Sequence, residues 1–187
     1  MNEEKKTAVP AAVIRASLSR AELLENYVDV PKYLGFCRQC PNFRRCWSCP
    51  DYDFDPMDVW RAYDRLDVLA YRIEPGTEDP ANTDVQKLLE PYYLAMVEEL
   101  RAAEAATPGA LRLNPGKCRL CASCARPEGK PCRFPEEMRY SIESLGGAVG
   151  DIAREVLHTP LKWSAEGRPP EYYLLVGGLL VKEKGDA

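Results

Sequence analysis

Eight cysteines fall in two tight groups, Cys37, Cys40, Cys46 and Cys49, then Cys118, Cys121, Cys124 and Cys132, and the rest of the chain has none. A thiolate is a strong soft donor for iron or zinc, and four within one short loop can enclose a metal with little chain-closure entropy. Such a chain must fold so that both loops are held on a scaffold. Its 187 residues, 45% of them hydrophobic, are enough to bury a core of their own. The expectation is one domain over 1–187, with 1–15 flexible, the first cysteine loop at 37–50 and the second at 116–135.

The second group reads C-x2-C-x2-C-x7-C. Its first three cysteines match the spacing of the bacterial ferredoxin loop, in which consecutive thiolates hold three corners of a [4Fe–4S] cube. Cys132 closes the cube on this reading, although in the ferredoxin motif the distant fourth cysteine often serves a neighbouring cluster. A structural zinc site usually has two C-x2-C knuckles on separate hairpins, and Cys118, Cys121 and Cys124 run together without that gap. The first group, C-x2-C-x5-C-x2-C, does have two knuckles, with a spacer shorter than the usual zinc ribbon. Pro41 and Pro50 each follow a cysteine and stiffen that loop. A second iron–sulfur cluster, zinc at Cys37/Cys40/Cys46/Cys49, and a non-metal role all stay open there.

Cations flank both groups: Arg38, Arg44 and Arg45 in the first, and Lys117, Arg119, Arg126, Lys130 and Arg133 in the second. Either they stabilise an anionic centre, lowering the thiol pKa values from about 8.5, or they are ordinary solvated charge. A broad phosphate-binding face is disfavoured by 25 Lys plus Arg against 29 Asp plus Glu, so nucleic acid is not an expected partner. No uncharged apolar stretch approaches the roughly 20 residues of a bilayer span, so no membrane partner is expected. Met1 to Lys6 carries both signs of charge without a sustained apolar run, unlike a secretory signal. Cytoplasmic residence follows as an expectation, and a reducing cytosol opposes a disulfide framework.

Hydrophobic periodicity predicts an α+β fold: a small, mostly antiparallel sheet with helices packed on one face and both cysteine loops at its edge. Helices are expected over Leu18 to Tyr27, Pro56 to about Arg65, Thr83 to about Ala106, Pro135 to about Leu145, and Val149 to Leu157. Asp55 caps the second of these, and a Thr83/Gln86 capping box opens the third, which Pro91 should kink or divide. Strands are expected over Leu66 to Ile73, before a turn at Pro75-Gly76, over Leu111 to Leu113, and over Tyr172 to Val181. Gly177 and Gly178 in the last strand suggest a bulge or a close backbone approach. The alternating carboxylates Asp51, Asp53 and Asp55 do not form a calcium loop, because Pro56 stands where glycine is needed and Ala62 where a bidentate glutamate is needed. His158, the lone histidine, reads as a helix-end or surface residue.

The segments Cys37-Arg38-Gln39-Cys40-Pro41-Asn42-Phe43, Trp47-Ser48-Cys49-Pro50, Gly116-Lys117-Cys118-Arg119-Leu120-Cys121, Cys132-Arg133-Phe134-Pro135 and Tyr140-Ser141-Ile142-Glu143-Ser144-Leu145-Gly146, with the strand around Tyr173, together resemble a prokaryotic family of predicted metal-binding proteins, domain of unknown function 2284. The likeness spans about Tyr27 to Val181. It implies metal or iron–sulfur binding and no particular reaction. The position of Cys46 is usually not cysteine in that family, which leaves three cysteines in the first group and makes Cys46 dispensable to it.

Three functions fit these residues. The first is an iron–sulfur protein that carries one or two [4Fe–4S] clusters and passes electrons to a redox protein partner, with Cys118, Cys121, Cys124 and Cys132 as the cluster loop. The second is a zinc-stabilised module that recognises a protein or RNA. The third is a cluster-dependent enzyme with an open iron near Trp47 and Tyr52. The C-x3-C-x2-C signature of radical enzymes, a glycine-rich phosphate loop and a serine–histidine nucleophile motif are absent from the sequence.

Overall fold

A computed structural model describes residues 10–75, 84–165 and 168–183. Four antiparallel strands, β1 (Ala12–Ser19), β2 (Arg65–Ile73), β3 (Leu111–Leu113) and β4 (Tyr173–Val181), form one open sheet in the order β1-β2-β4-β3. The α+β class and the antiparallel sheet expected from periodicity are borne out. β1 is not among the expected strands, and its residues 12–15 fall in the stretch expected to be flexible. Its alternation is diluted by Ala12, Ala16 and Ser17, so only Ile14 and Leu18 mark the inward face.

Helices cover both faces of the sheet, not one. Along β2, Leu66, Val68 and Ala70 point into one core with Leu18, Trp60, Ile142 and Ile152, while Leu69, Tyr71 and Ile73 point into a second core with Met96 and Leu100. A strand buried on both sides loses its alternation, as Leu66 to Ile73 does, apolar throughout but for Asp67 and Arg72. Helices α1 (Arg20–Asn26), α2 (Val30–Cys37), α3 (Pro56–Arg61) and α5 (Val149–Asp151) lie on the first side, and α4 (Val85–Ala106) covers the second. Gly177 and Gly178 let the layers close: a Cβ at either would come within 2.8 Å of Leu100 Cδ1 or Leu66 Cδ1, respectively. The close approach expected at these glycines is therefore present.

Local signals set most helix ends. Ser19 and Glu22 form a reciprocal capping box at α1, so this helix starts after Leu18, which lies at the end of β1. The Asp55 carboxylate accepts from the Met57 N–H at 2.9 Å with Pro56 at the first helical position, although α3 stops at Arg61 and not Arg65. Asp84, not Thr83, caps α4, accepting from the Gln86 and Lys87 N–H groups. Thr83 and Gly76 lie outside the described residues. Pro91 does not divide α4, which runs unbroken with Pro91 on its exposed side.

The helix expected over 135–145 is replaced by turns that end in a 3-10 turn over Glu143–Leu145. Here Ser141 and Ser144 hydrogen-bond each other's backbone N–H groups at 3.3 and 3.0 Å, and the Tyr140 carbonyl accepts from the Asn114 N–H at 2.8 Å. Such local side-chain bonds offer the backbone an alternative to helix. Gly146, at φ +88°, ends the turn. Beyond it, α5 continues as a π-helical stretch over Ile152–Val156, and His158 is exposed just past its end, in agreement with its surface reading.

Candidate metal centre

The first cysteine loop hangs from a helix and a turn that the core fixes, and the second from strand β3. Asp29 caps α2, its carboxylate accepting from the Lys32 N–H at 3.0 Å with Pro31 in the first turn, and α2 ends on Cys37. The start of α2 is docked on the Ser141–Gly147 segment: the Asp29 N–H donates to the Gly146 carbonyl at 3.0 Å and the Ala148 N–H to the Tyr27 carbonyl at 2.8 Å. A Cβ on Gly146 would sit 2.6 Å from Val30 Cα, so this contact requires glycine. The docking brings the Cys37 thiol to 3.9 Å from the Glu143 carbonyl.

The second loop leaves β3 and is braced from beneath by α4. Arg112 in β3 and Arg139 both pair with Glu104 of α4, Arg139 Nε at 2.7 Å, with all three side chains largely buried. Burial works against ionising Glu104, but hydrogen bonds from Arg139 and Arg112 hold its carboxyl below the usual carboxylate range. Higher on α4, the Tyr93 hydroxyl donates to the Lys117 carbonyl at 3.1 Å, and the Arg119 guanidinium lies 4.2 Å from the Tyr93 ring centre.

The two loops touch. The Cys118 N–H donates to Ser48 Oγ at 2.9 Å, Trp47 Nε1 donates to the Lys130 carbonyl at 3.1 Å, and Lys117 Nζ donates to Asn42 Oδ1 at 3.3 Å. Arg126 does most to join them: its guanidinium donates to the carbonyls of Cys46, Cys49 and Asp51 while lying 5.1 Å from the Trp47 ring centre. Most of the other cations that flank the cysteines are engaged too: Arg44 with Asp51, Arg119 with Glu90, Lys130 with Glu128, and Arg133 with the Ser123 carbonyl. Their work is to fix loop conformation.

All eight cysteines are unbonded thiols. They do not divide as the sequence spacing divides them. Cys46, Cys118, Cys121, Cys124 and Cys132 share the wall of one cavity of about 530 Å³, which Cys37, Cys40 and Cys49 do not line. The Cys46 thiol interacts with Cys124 of the second group as well as with Cys49 of its own. Cys37 feels the charge of Glu143 and Cys40, and Cys49 that of Cys46 first and then of Cys40 and Cys37. Cys40 is the exposed member of these three, and its sulfur accepts from Asn42 Nδ2 at 3.7 Å.

Burial, not cationic neighbours, sets the thiol chemistry of the metal-free chain. It pushes Cys37 up to about 11, with the Glu143 and Cys40 charges adding to it, and Cys49 up to about 12, with the Cys46 charge the next largest cause. Burial also raises Cys46 and Cys118, and the one cation that opposes it, Lys117 beside Cys46, is outweighed. Of the two readings of the flanking cations, the lowering of thiol pKa values is not seen at Cys37, Cys46, Cys49 or Cys118 in the metal-free protein, where Arg44, Arg119, Arg126 and Arg133 are turned to backbone carbonyls and carboxylates. A metal that takes such thiols must displace their protons.

Among the described residues, no group of three or more His, Cys, Asp or Glu side chains is preformed to hold a metal ion. The donor set nonetheless fits a metal centre by its chemistry: eight free thiols in two hydrogen-bonded loops, five of them around a single cavity. Ser48, Glu143 and Tyr140 support this region, and sequence reasoning does not mark them as site residues. Their only signal is proximity to the cysteines and membership of the Tyr140–Gly146 segment. Tyr52, Phe54 and Tyr140 form an aromatic cluster that lines a separate pocket with Cys132, with Tyr52 stacked on Phe54 at 4.8 Å.

No helix among the described residues is long and apolar enough to cross a membrane. No curated protein and no solved structure is significantly similar to the chain. The family pattern of domain of unknown function 2284, described as predicted metal-binding protein, matches residues 25–181 and takes in all eight cysteines and the turn that carries Glu143, so the chain belongs to this family of predicted metal-binding proteins.

Proposed function

We propose that the chain is an iron–sulfur protein in which Cys118, Cys121, Cys124 and Cys132 hold a [4Fe–4S] cluster and the first cysteine group holds a second metal centre, a cluster or zinc. The observation that carries this reading is the cavity shared by five thiols, four of them in the order C-x2-C-x2-C-x7-C, whose first three match the ferredoxin spacing. A bound cluster would supply one-electron chemistry. The residues around it hold the loops: Arg126 and Ser48 join them, and Tyr93 fixes the second loop to α4.

Electron transfer to a redox protein partner in the cytoplasm is the role this supports best. Cys121 and Cys124 remain partly open to solvent, so a partner could approach the second centre closely, and the direct contact of the loops would place two centres side by side. The test is metal and acid-labile sulfide content, with an absorption spectrum, on protein purified without oxygen. About eight irons and eight sulfides per chain are expected for two cubes, and about four of each for one cube beside a zinc or empty first site. Zinc without sulfide overturns the redox reading in favour of a zinc-stabilised interaction module.

A further inference from the structure

Beside the cavity shared by five thiols lies a second one of about 570 Å³, within the usual range of small-molecule sites. Trp47, Cys132 and Met138 line both, so the two cavities share a wall and Cys132 stands in it. The rest of the second wall is largely aromatic: Trp47 from the first loop, Tyr52 and Phe54 from the segment that follows it, and Tyr140 from the turn after the second loop. All four of these residues are half-buried, so they neither fill the core nor stand free in solvent.

The rings are set by contacts that leave the cavity open. The Trp47 indole N–H donates to the Lys130 carbonyl at 3.1 Å, the Tyr52 hydroxyl donates to the Ser48 carbonyl at 2.8 Å, and the Tyr140 backbone is tied to Asn114. Tyr140 meets Tyr52 edge-on, with ring centres 5.2 Å apart. A wall set in advance loses little conformational freedom when a ligand binds, which favours affinity.

The polar groups of the wall define what can sit there. Arg44 and Arg126 are matched by Asp51 and Asp53, so the lining carries no net formal charge and selects neither an anion nor a cation. Arg44 is paired with Asp51 at 2.7 Å, and Arg126 is occupied by the carbonyls of Cys46, Cys49 and Asp51. The Tyr140 hydroxyl and the Asp53 carboxylate, by contrast, have no hydrogen-bond partner among the described residues. The first is free to donate to a carbonyl and the second to accept from an N–H.

We propose that this cavity binds a neutral, planar heteroaromatic ring that carries a carbonyl beside an N–H. The ring stacks on the aromatic wall, the Tyr140 hydroxyl donates to its carbonyl, and the Asp53 carboxylate accepts from its N–H. A ring so held lies across the Cys132 wall from the thiol cavity and is a small-molecule partner of the second centre. That placement rests on the metal-binding reading above; binding of the ring rests on the cavity alone.

The test uses the intact chain purified without oxygen, with metal content measured on the same sample, and lumiflavin, a neutral ring of this class that does not add to thiols. Calorimetry and quenching of lumiflavin fluorescence are expected to show saturable binding of one ring per chain. Tyr140→Phe and Asp53→Ala remove groups that make no hydrogen bond within the described fold, and each is expected to weaken binding about tenfold. Absence of saturable binding would overturn the proposal, and so would unchanged affinity in both variants, which would mean that the ring sits elsewhere. In iron-loaded chain the bound ring is expected to shift the absorption or magnetic resonance spectrum of the second centre; an unchanged spectrum at saturation would overturn the placement beside it. Binding by a sample that holds neither iron nor zinc would defeat the metal reading and leave the ring site standing.

Discussion

The two cysteine loops have the same number of thiols and differ in what holds them. The first is clamped between the end of α2 and the glutamate-bearing turn, and its Cys37 and Cys49 are strongly desolvated. The second rises from β3 over α4 and opens onto a cavity, to which the first loop lends Cys46. Cysteine count therefore says less about a metal centre than the surface against which each sulfur is folded: the first group spans the exposed Cys40 to the buried Cys46, and the four of the second are all half-buried.

Thiol reactivity breaks the comparison most sharply. In the reduced, metal-free protein near pH 8, Cys49 should carry about 1000-fold less thiolate than an ordinary cysteine, and Cys37 about 100-fold less, and both should react only as pH rises toward 11 and 12. Alkylation followed by peptide mass analysis measures this; modification of Cys37 and Cys49 as fast as exposed Cys40 would abolish the distinction.

Removing the charge beneath the second loop tests its support. Glu104→Gln leaves two buried arginines without their anion and is expected to cost about 3–5 kcal/mol in urea unfolding. Because the Glu104 carboxyl is held below its unfolded value, its stabilisation is present above the ordinary carboxylate range and fades as pH falls through the lowered value. The variant should therefore lose less stability on acidification than the wild type; parallel acid profiles would contradict this.

Gly146→Ala tests the support of the first loop, since it adds a methyl 2.6 Å from the Val30 backbone at a φ of +88°. A cost of about 2–4 kcal/mol is expected, with amide exchange rising first in α2 and the Cys37 loop. Arg126→Ala acts on the seam and should cost about 1–3 kcal/mol while raising exchange in both loops together. A rise in one loop only would show that the seam is not shared. The smallest effect, about 0.5–1.5 kcal/mol, is expected for Tyr93→Phe, confined to the second loop.

Much of the scaffold is legible in the order of the residues. β2, β3, β4 and the body of α4 follow from apolar runs and periodicity, and α3 from Asp55 and Pro56. β1 is hidden because alanine and serine blur its alternation, and the second covered face is hidden because Leu66 to Ile73 is apolar at nearly every position and does not announce which side each residue takes. At the site, all eight sulfurs are legible from spacing, but their regrouping is not. That Cys46 turns toward Cys124 depends on contacts between segments about 80 residues apart, such as Arg126 to the Cys46 carbonyl, for which local pattern offers no signal.

The strand order carries a consequence for assembly. β3, from which the second loop springs, has β4 as its one strand neighbour among the described residues, and β4 follows both loops in the chain. During synthesis both cysteine loops are therefore made before the strand that anchors β3 exists, and the cavity shared by five thiols cannot take its final shape until residues 173–181 have paired with β2. A newly made chain thus passes through a stage in which its sulfurs are present and their setting is not.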